Sequence, residues 1–184
     1  MENPPSPELV GKALRKIMAA VEGVGQKAVA LGAIARKAWG AAREPQDVEL
    51  MIQGGDEARE RVLSAARGEG LRQNSPASPL SLTYADAKLA GAVAVELLAA
   101  STPFHQRLCA RAQRGIALQV QMLVASCEDL ILLSAAKPAG EAEVVELLRH
   151  NAGRIDAAYV KKEAEAQGIF DRVKSAWAEA KRQG

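Results

Sequence analysis

The chain has 184 residues, of which 48% are hydrophobic and 25% are charged, so it has the balance of a globular protein with a sizeable core. Its 24 Lys and Arg nearly cancel its 22 Asp and Glu, which excludes a generally polybasic nucleic-acid coat. Aromatic residues make up 3% of the chain, which disfavours base stacking on aromatic platforms and predicts a core of aliphatic side chains and alanine.

The cysteine usage and the N-terminal segment together predict a soluble, cytoplasmic protein. Cys109 and Cys127 lie inside helical or apolar patterns and lack metal-binding spacing, so we expect reduced thiols. The opening MENPPSPELV has neither the basic nor the apolar segment of a signal peptide, and the longest apolar runs are too short to span a bilayer.

The first half of the chain predicts alternating helices and strands after a flexible lead over residues 1–6. Apolar residues at helical spacing, short apolar runs between glycines and acid–apolar alternation mark the elements. In chain order we predict a helix over 7–23, a strand over 27–31, a helix over 32–39, a strand over 47–53 and a helix over 56–70.

The second half predicts further strands and then mostly helices. We expect short strands over 71–73 and 80–84 around a Ser/Pro-rich loop over 74–79, a buried strand over 91–100, a helix over 102–115 with Thr102 as its N-cap, a strand over 116–125, a helix from Ser126 with a capping box to Asp129, and two or three helices from Glu141 onward. This order indicates a mixed α/β core over residues 1–125 and a C-terminal helical region over 126–184 packed on that core.

Three acids carry the candidate chemistry. Asp47 and Glu49 are two residues apart on a predicted strand, where side chains share a face about 7 Å apart. Glu96 interrupts an otherwise apolar strand, where an unpaired carboxylate is costly and favours a partner or a metal. The three acids are candidate ligands for Mg²⁺, although an acid–apolar–acid triplet alone is more typical of a solvated strand face.

A series of short motifs resembles a known family. In chain order they are Gly32-Ala33 after the first strand, Trp39-Gly40, Arg43, Asp47-Val48-Glu49, VAVELLAAS and VASCEDLILLSAA. The series is similar to the minimal nucleotidyltransferases of the polymerase-β-like superfamily, in particular the AbiEii toxin-like group of toxin–antitoxin systems. The resemblance covers residues 24–173.

The resemblance implies both a fold and an activity. The fold is α/β (α+β), a nucleotidyltransferase-like mixed sheet flanked by helices with a helical C-terminal region. The activity is metal-dependent transfer of a nucleoside monophosphate from an NTP to an RNA, such as tRNA, or to a protein, with an antitoxin-like partner and no membrane. The implied catalytic and metal residues are Asp47, Glu49 and Glu96 with Mg²⁺ (or Mn²⁺), and the implied nucleotide-binding residues are Gly32, Ala33 and Arg43.

Departures from the family pattern leave a second hypothesis open. Ala33 replaces a glycine or serine in the phosphate turn, Pro45 replaces a threonine, and Glu49 and Glu96 stand where the family has aspartates. Ser134 replaces a lysine that would face the nucleotide phosphates. The alternative is therefore a catalytically degenerate protein of the same fold that acts as a binding or regulatory module.

A basic stripe is a further candidate site. Arg107, Arg111 and Arg114 recur at helical spacing in the predicted helix over 102–115. They could follow a nucleic-acid backbone, but the charge balance of the chain favours an ordinary solvated helix face.

Overall fold

The computed structural model describes residues 4–75 and 80–183, which form two compact units. The first contains the residues up to Ala38 together with Arg43–Ala125, and the second contains Trp39–Ala42 together with the residues from Ser126 onward. The short segment Trp39–Ala42 therefore groups with the C-terminal helices, although it lies early in the chain.

The first unit is built on a mixed sheet of seven strands in the described part of the chain, in the order β3-β4-β5-β2-β1-β7-β6. The pairs β2–β5 and β1–β7 are parallel, and the other neighbours are antiparallel. Its elements are α1 (Pro7–Gly23), β1 (Ala28–Ala30), α2 (Gly32–Ala38), β2 (Asp47–Ile52), α3 (Gly55–Gly68), β3 (Arg72–Ser75), β4 (Leu80–Tyr84), β5 (Val93–Ala99), α4 (Pro103–Arg111), β6 (Gln113–Ala117) and β7 (Val120–Val124).

Helix α1 shows why the sequence forms these elements. The Ser6 hydroxyl accepts a hydrogen bond from the Leu9 amide at 3.2 Å, and Pro7 occupies the first helical position, where its missing N–H costs nothing. The apolar face of α1 is fully buried, and α1 and α3 contact each other and the central strands. In β5 the core residues Val93, Val95 and Leu97 alternate with less buried ones, whereas β2 has the core residue Val48 and then the continuous buried run Leu50, Met51 and Ile52.

The region after α4 differs from the prediction. The predicted helix over 102–115 ends at Arg111, because Ala112 turns to extended backbone with ψ of 139°. The predicted single strand over 116–125 instead contains the end of β6, a turn and the whole of β7, and the turn residues Leu118 and Gln119 have positive φ, 50° and 64°. This turn was not predicted from the sequence, because neither Leu118 nor Gln119 is the Gly or Asn that such a turn favours.

The second unit consists of helices in the described part of the chain: α5 (Cys127–Ala136), α6 (Glu141–Asn151), α7 (Ala157–Ala166) and α8 (Phe170–Gln183). The predicted N-cap at Ser126 is confirmed, since the Asp129 amide donates to Ser126 Oγ at 3.2 Å, and the Ser126 hydroxyl donates to Asp129 Oδ2 at 2.7 Å. The other Asp129 oxygen accepts from the Tyr159 hydroxyl at 2.7 Å, which ties α5 to α7. No helix among the described residues combines the length and the apolar character needed to cross a membrane.

The structure confirms the predicted mixed α/β fold. The remaining predicted elements form within a few residues of their expected ends. One difference is that β3 extends to Ser75, into the predicted loop over 74–79. Residues 76–79 of that loop and residues 1–3 of the predicted lead lie outside the described residues.

Candidate active site

Strands β2 and β5 bring the three predicted acids together on one face of the sheet. The two strands are parallel and adjacent, with Glu49 in register with Glu96 and Asp47 in register with Ala94. Residues in register on neighbouring strands point to the same side, and such strands lie about 4.8 Å apart. All three acids are half-buried, whereas Val48 between Asp47 and Glu49 is fully buried on the opposite face.

Glu49 also lies against the turn that begins α2. Its backbone carbonyl accepts from the Leu31 amide at 2.9 Å, which joins the end of β1 to β2. Gly32 has a φ of +54°, and a Cβ placed on it would lie 2.6 Å from Glu49 Cδ. Gly32 is therefore required both by its left-handed backbone and by the close approach of the Glu49 carboxyl group.

The other predicted nucleotide-binding residues are Ala33, which adjoins this turn, and Arg43, which lies closer to β2 along the chain. Ala33 follows Gly32 in α2 and is half-buried, and Arg43 is exposed in the segment that leads from α2 to β2. Next to Arg43, Glu44 forms an ion pair with Lys37 of α2. Ala33 and Arg43 thus lie in the same unit as the three acids, and Arg43 lies in the segment that leads into β2.

The donor chemistry of the acids fits a hard cation. Carboxylate oxygens are the ligands that Mg²⁺ and Mn²⁺ prefer, and the acidic face offers three carboxylates on two neighbouring strands. As the side chains stand, however, no group of three or more His, Cys, Asp or Glu within the described ranges is arranged to hold a metal ion. The acidic face is thus a set of suitable donors that is not closed into a cage, with Glu49 turned to Gly32.

Two polar residues beside the acids and one buried arginine on α2 were not predicted from the sequence. Ser81 and Thr83 on β4 are in register with Glu96 and Ala94, so they extend the polar face by one strand. Arg36 on α2 is only 8% exposed, and arginine side chains are seldom buried so completely. The sequence contained no motif for Ser81 and Thr83, because only the register of β4 against β5 brings them beside the acids.

The departure at Ser134 has a structural explanation within the second unit. Its hydroxyl donates to Glu143 Oε2 at 2.8 Å, and it is 2% exposed. A Cβ on Gly140 would overlap the Ser134 carbonyl group, so the chain between α5 and α6 passes too closely for any larger residue. Ser134 therefore joins α5 to α6 rather than presenting a charge.

The predicted basic stripe does not form. Arg107 and Arg111 lie on α4, but Arg114 lies on β6, because the helix ends before it. The neighbouring His105 is a packed residue: burial lowers its pKa, against the opposing effect of a backbone hydrogen bond with Ala99. Its Nδ1 atom is buried without a hydrogen-bond partner among the described residues.

Comparison with solved structures places the fold. The chain matches a solution structure of the antibiotic-resistance factor ANT(2″)-Ia with a TM-score of 0.60 and 15% identity, over 94% of this chain and 95% of that one. It matches a crystal structure of ANT(2″)-Ia in complex with adenylyl-2″-tobramycin with a TM-score of 0.58 and 15% identity, over 92% and 97%. A third match is an antigenic nucleotidyltransferase-like protein from Paracoccidioides brasiliensis, with a TM-score of 0.59 and 11% identity, over 92% of each chain.

These likenesses confirm a nucleotidyltransferase-like fold over nearly the whole chain. At such low identity they establish the fold alone. The sequence matches no protein-family model, and no curated protein matches it. The AbiEii toxin-like group therefore stays a prediction from the sequence motifs.

Proposed function

We propose that the protein is a nucleotidyltransferase that moves a nucleoside monophosphate from an NTP to an acceptor hydroxyl group. The observation that carries this proposal is the acidic face, with Asp47 and Glu49 on β2 and Glu96 in register with Glu49 on β5. A nucleotidyltransferase-like fold supports it. Three half-buried carboxylates on one face repel each other, so a face of this kind favours a bound cation over an empty one.

In this proposal Asp47, Glu49 and Glu96 hold Mg²⁺ (or Mn²⁺), which when bound neutralises charge on the phosphates. Glu96 accepts the proton of the attacking hydroxyl as its oxygen bonds to the α-phosphorus and pyrophosphate leaves. The backbone at Gly32 and the exposed guanidinium of Arg43 hold the triphosphate. Glu49 reaches the other two acids by rotating away from Gly32 about its flexible side-chain bonds.

The acceptor has three candidate classes. The sequence resemblance favours an RNA, such as tRNA, or a protein, and it implies an antitoxin-like partner. ANT(2″)-Ia has been crystallised with adenylyl-2″-tobramycin, so an aminoglycoside forms the third class. All three are hydroxyl-bearing acceptors and fit the same transfer step.

One observation favours a second function, that of a catalytically degenerate binding or regulatory module. The Glu49 carboxyl group lies against Gly32, where the nucleotide phosphates would rest. Two anions in one place repel strongly when they are partly removed from water. In this alternative Glu49 excludes the triphosphate, and the protein acts by binding another molecule.

The primary test is transfer of label from each of the four α-³²P NTPs, with Mg²⁺ or Mn²⁺, to total tRNA, to protein and to an aminoglycoside. We expect labelled acceptor with the native protein and at least about a 100-fold loss in Asp47→Asn. The matched control is Asp56→Asn, which removes an exposed carboxylate on α3 that lies outside the acidic face. Equal transfer by the two variants, or none by the native protein with any acceptor, would contradict the proposal.

A binding experiment separates the two functions. Glu49→Asp shortens the side chain by one methylene and withdraws its carboxyl group from Gly32, whereas Glu96→Asp makes the same change at the neighbouring position. If Glu49 excludes phosphate, calorimetry should show Mg-ATP binding more tightly to Glu49→Asp than to the native protein, with Glu96→Asp unchanged. Equal affinity of the native protein and Glu49→Asp would remove the support for the degenerate alternative.

A further inference from the structure

Strand β6 forms one edge of the seven-stranded sheet, with β7 on one side and no further strand on the other among the described residues. Its residues Gln113, Arg114 and Ile116 are exposed. Ile116 is 67% exposed, and no other large hydrophobic side chain among the described residues is exposed. An open edge with an exposed β-branched residue is a template for pairing with another strand.

The hairpin geometry determines which backbone groups of β6 point outward. Leu118 and Gln119 form a two-residue turn, so the flanking pair Ala117 and Val120 is a hydrogen-bonded pair. Hydrogen-bonded and non-hydrogen-bonded pairs alternate along an antiparallel ladder. The backbone N–H and C=O groups of Arg114 and Ile116 therefore point away from β7, toward the open edge.

These outward groups are related by symmetry about Gly115. An antiparallel strand of a second copy, centred on Gly115, would place its Ile116 opposite Arg114 and its Arg114 opposite Ile116. Both outward residues would then meet outward residues of the other copy, and each hydrogen bond would be formed twice. This self-complementarity is the requirement for a two-fold interface between identical chains.

The side chains fit the same register. Arg114 and Ile116 lie on one face of β6, so each Ile116 would be covered by the aliphatic stem of the opposite Arg114. The two arginines are not directly opposite each other, which avoids the worst like-charge contact. A cavity of about 650 Å³ adjoins β6, and the residues that line it include Ile116, Met18 and Met122.

We propose that β6 is a self-association surface, through which two copies of this chain pair their sheets edge to edge in a two-fold register centred on Gly115. The occupant is a second copy because the outward groups and side chains of β6 complement themselves. This inference does not rest on the nucleotide-transfer proposal, because the observations behind it concern the edge strand β6 alone.

The test is sedimentation velocity of the native protein over a concentration series from about 5 to 500 μM, a range suited to a small interface. We expect the dimer fraction to rise with concentration. Ile116→Lys places a lysine opposite Arg114 and should raise the dimer dissociation constant at least about tenfold. Gln121→Lys adds the same charge opposite Ile116 on β7, away from the edge, and should associate like the native protein.

A second variant tests the register itself. Ile116→Glu would face Arg114 of the other copy, so in the proposed register it should keep dimerisation within about threefold of native and make it more salt-sensitive. A merely hydrophobic contact would be lost in both Ile116→Glu and Ile116→Lys. A native protein that stays monomeric throughout the series, or an Ile116→Glu variant as weak as Ile116→Lys, would overturn the proposal.

Discussion

Replacing Gly32 with alanine tests the close approach at the candidate site. The φ of +54° at this position costs an L residue about 1–2 kcal/mol. The added Cβ would also lie 2.6 Å from Glu49 Cδ, so the Glu49 side chain must leave its position at about 0.5–1.5 kcal/mol. We expect Gly32→Ala to lower the free energy of unfolding by about 1.5–3.5 kcal/mol, the sum of these two terms.

The two contributions can be separated by a double-mutant cycle with Glu49→Ala. Removing the carboxyl group relieves the steric part but leaves the backbone strain at Gly32. In the Glu49→Ala background, Gly32→Ala should therefore cost only the backbone part, about 1–2 kcal/mol. The coupling energy of the cycle is therefore the cost of displacing the Glu49 side chain, together with any interaction that the displaced side chain loses.

Urea denaturation followed by circular dichroism gives the free energies of unfolding of the native protein, the two single variants and the double variant. The dependence of these free energies on urea concentration must be the same in all four proteins for the comparison to hold. A matched control is Gly25→Ala, which has a similar φ of +67° but no atom within 4 Å of the added Cβ. It should show the backbone cost alone and no coupling to Glu49→Ala. Equal costs of Gly32→Ala in both backgrounds would refute the steric contact between Gly32 and Glu49.

Three further outcomes follow from the contacts elsewhere in the chain. In urea titrations, Thr102→Ala should lower the free energy of unfolding by about 0.5–1.5 kcal/mol, because the Thr102 hydroxyl accepts the hydrogen bond of a helix cap. Ser126→Ala should lower it by about 2–3 kcal/mol, because Ser126 caps a buried helix start and also donates to the buried Asp129 carboxylate. Since burial lowers the pKa of His105 in the folded protein, the unfolded chain binds a proton more readily, and the free energy of unfolding should fall as the pH drops below about 6.5. The variant His105→Gln should reduce this fall. A pKa of His105 at or above 6.5, measured by NMR titration of the folded protein, would contradict the prediction. Burial, with a smaller contribution from the Glu128 carboxylate, raises the pKa of Cys127 to about 12. A thiol reagent at pH 8 should therefore label only Cys109 in the folded protein and both cysteines in urea. Labelling of Cys127 in the folded protein would contradict this prediction.

The sequence predicted most of the fold because its local patterns agree with the final packing. Glycines mark the ends of strands, and Thr102 and Ser126 cap their helices as expected. Apolar residues recur at helical spacing in α1. The prediction was wrong where an ordinary residue takes an unusual backbone. Leu118 and Gln119 form a tight turn with positive φ, which neither side chain favours on its own.

The candidate site was only partly predictable for a different reason. Local alternation placed Asp47 and Glu49 on one face, but the alignment of Glu96 with Glu49 depends on the register of β2 against β5. These strands are far apart in sequence and parallel, so no turn fixes their register. The polar neighbours on β4 follow from the same long-range pairing and were therefore missed.

The replacement of aspartate by glutamate has different consequences at the two positions. Glu49 and Glu96 are equivalent in register, yet the longer side chain at Glu49 reaches Gly32, a residue that leaves no room for a Cβ. An aspartate at position 49 would be shorter by a methylene and would leave the turn more open. Under the proposed function, activity therefore depends on whether Glu49 exchanges between Gly32 and the acidic face, since the first position would block the phosphates and the second would complete the three donors.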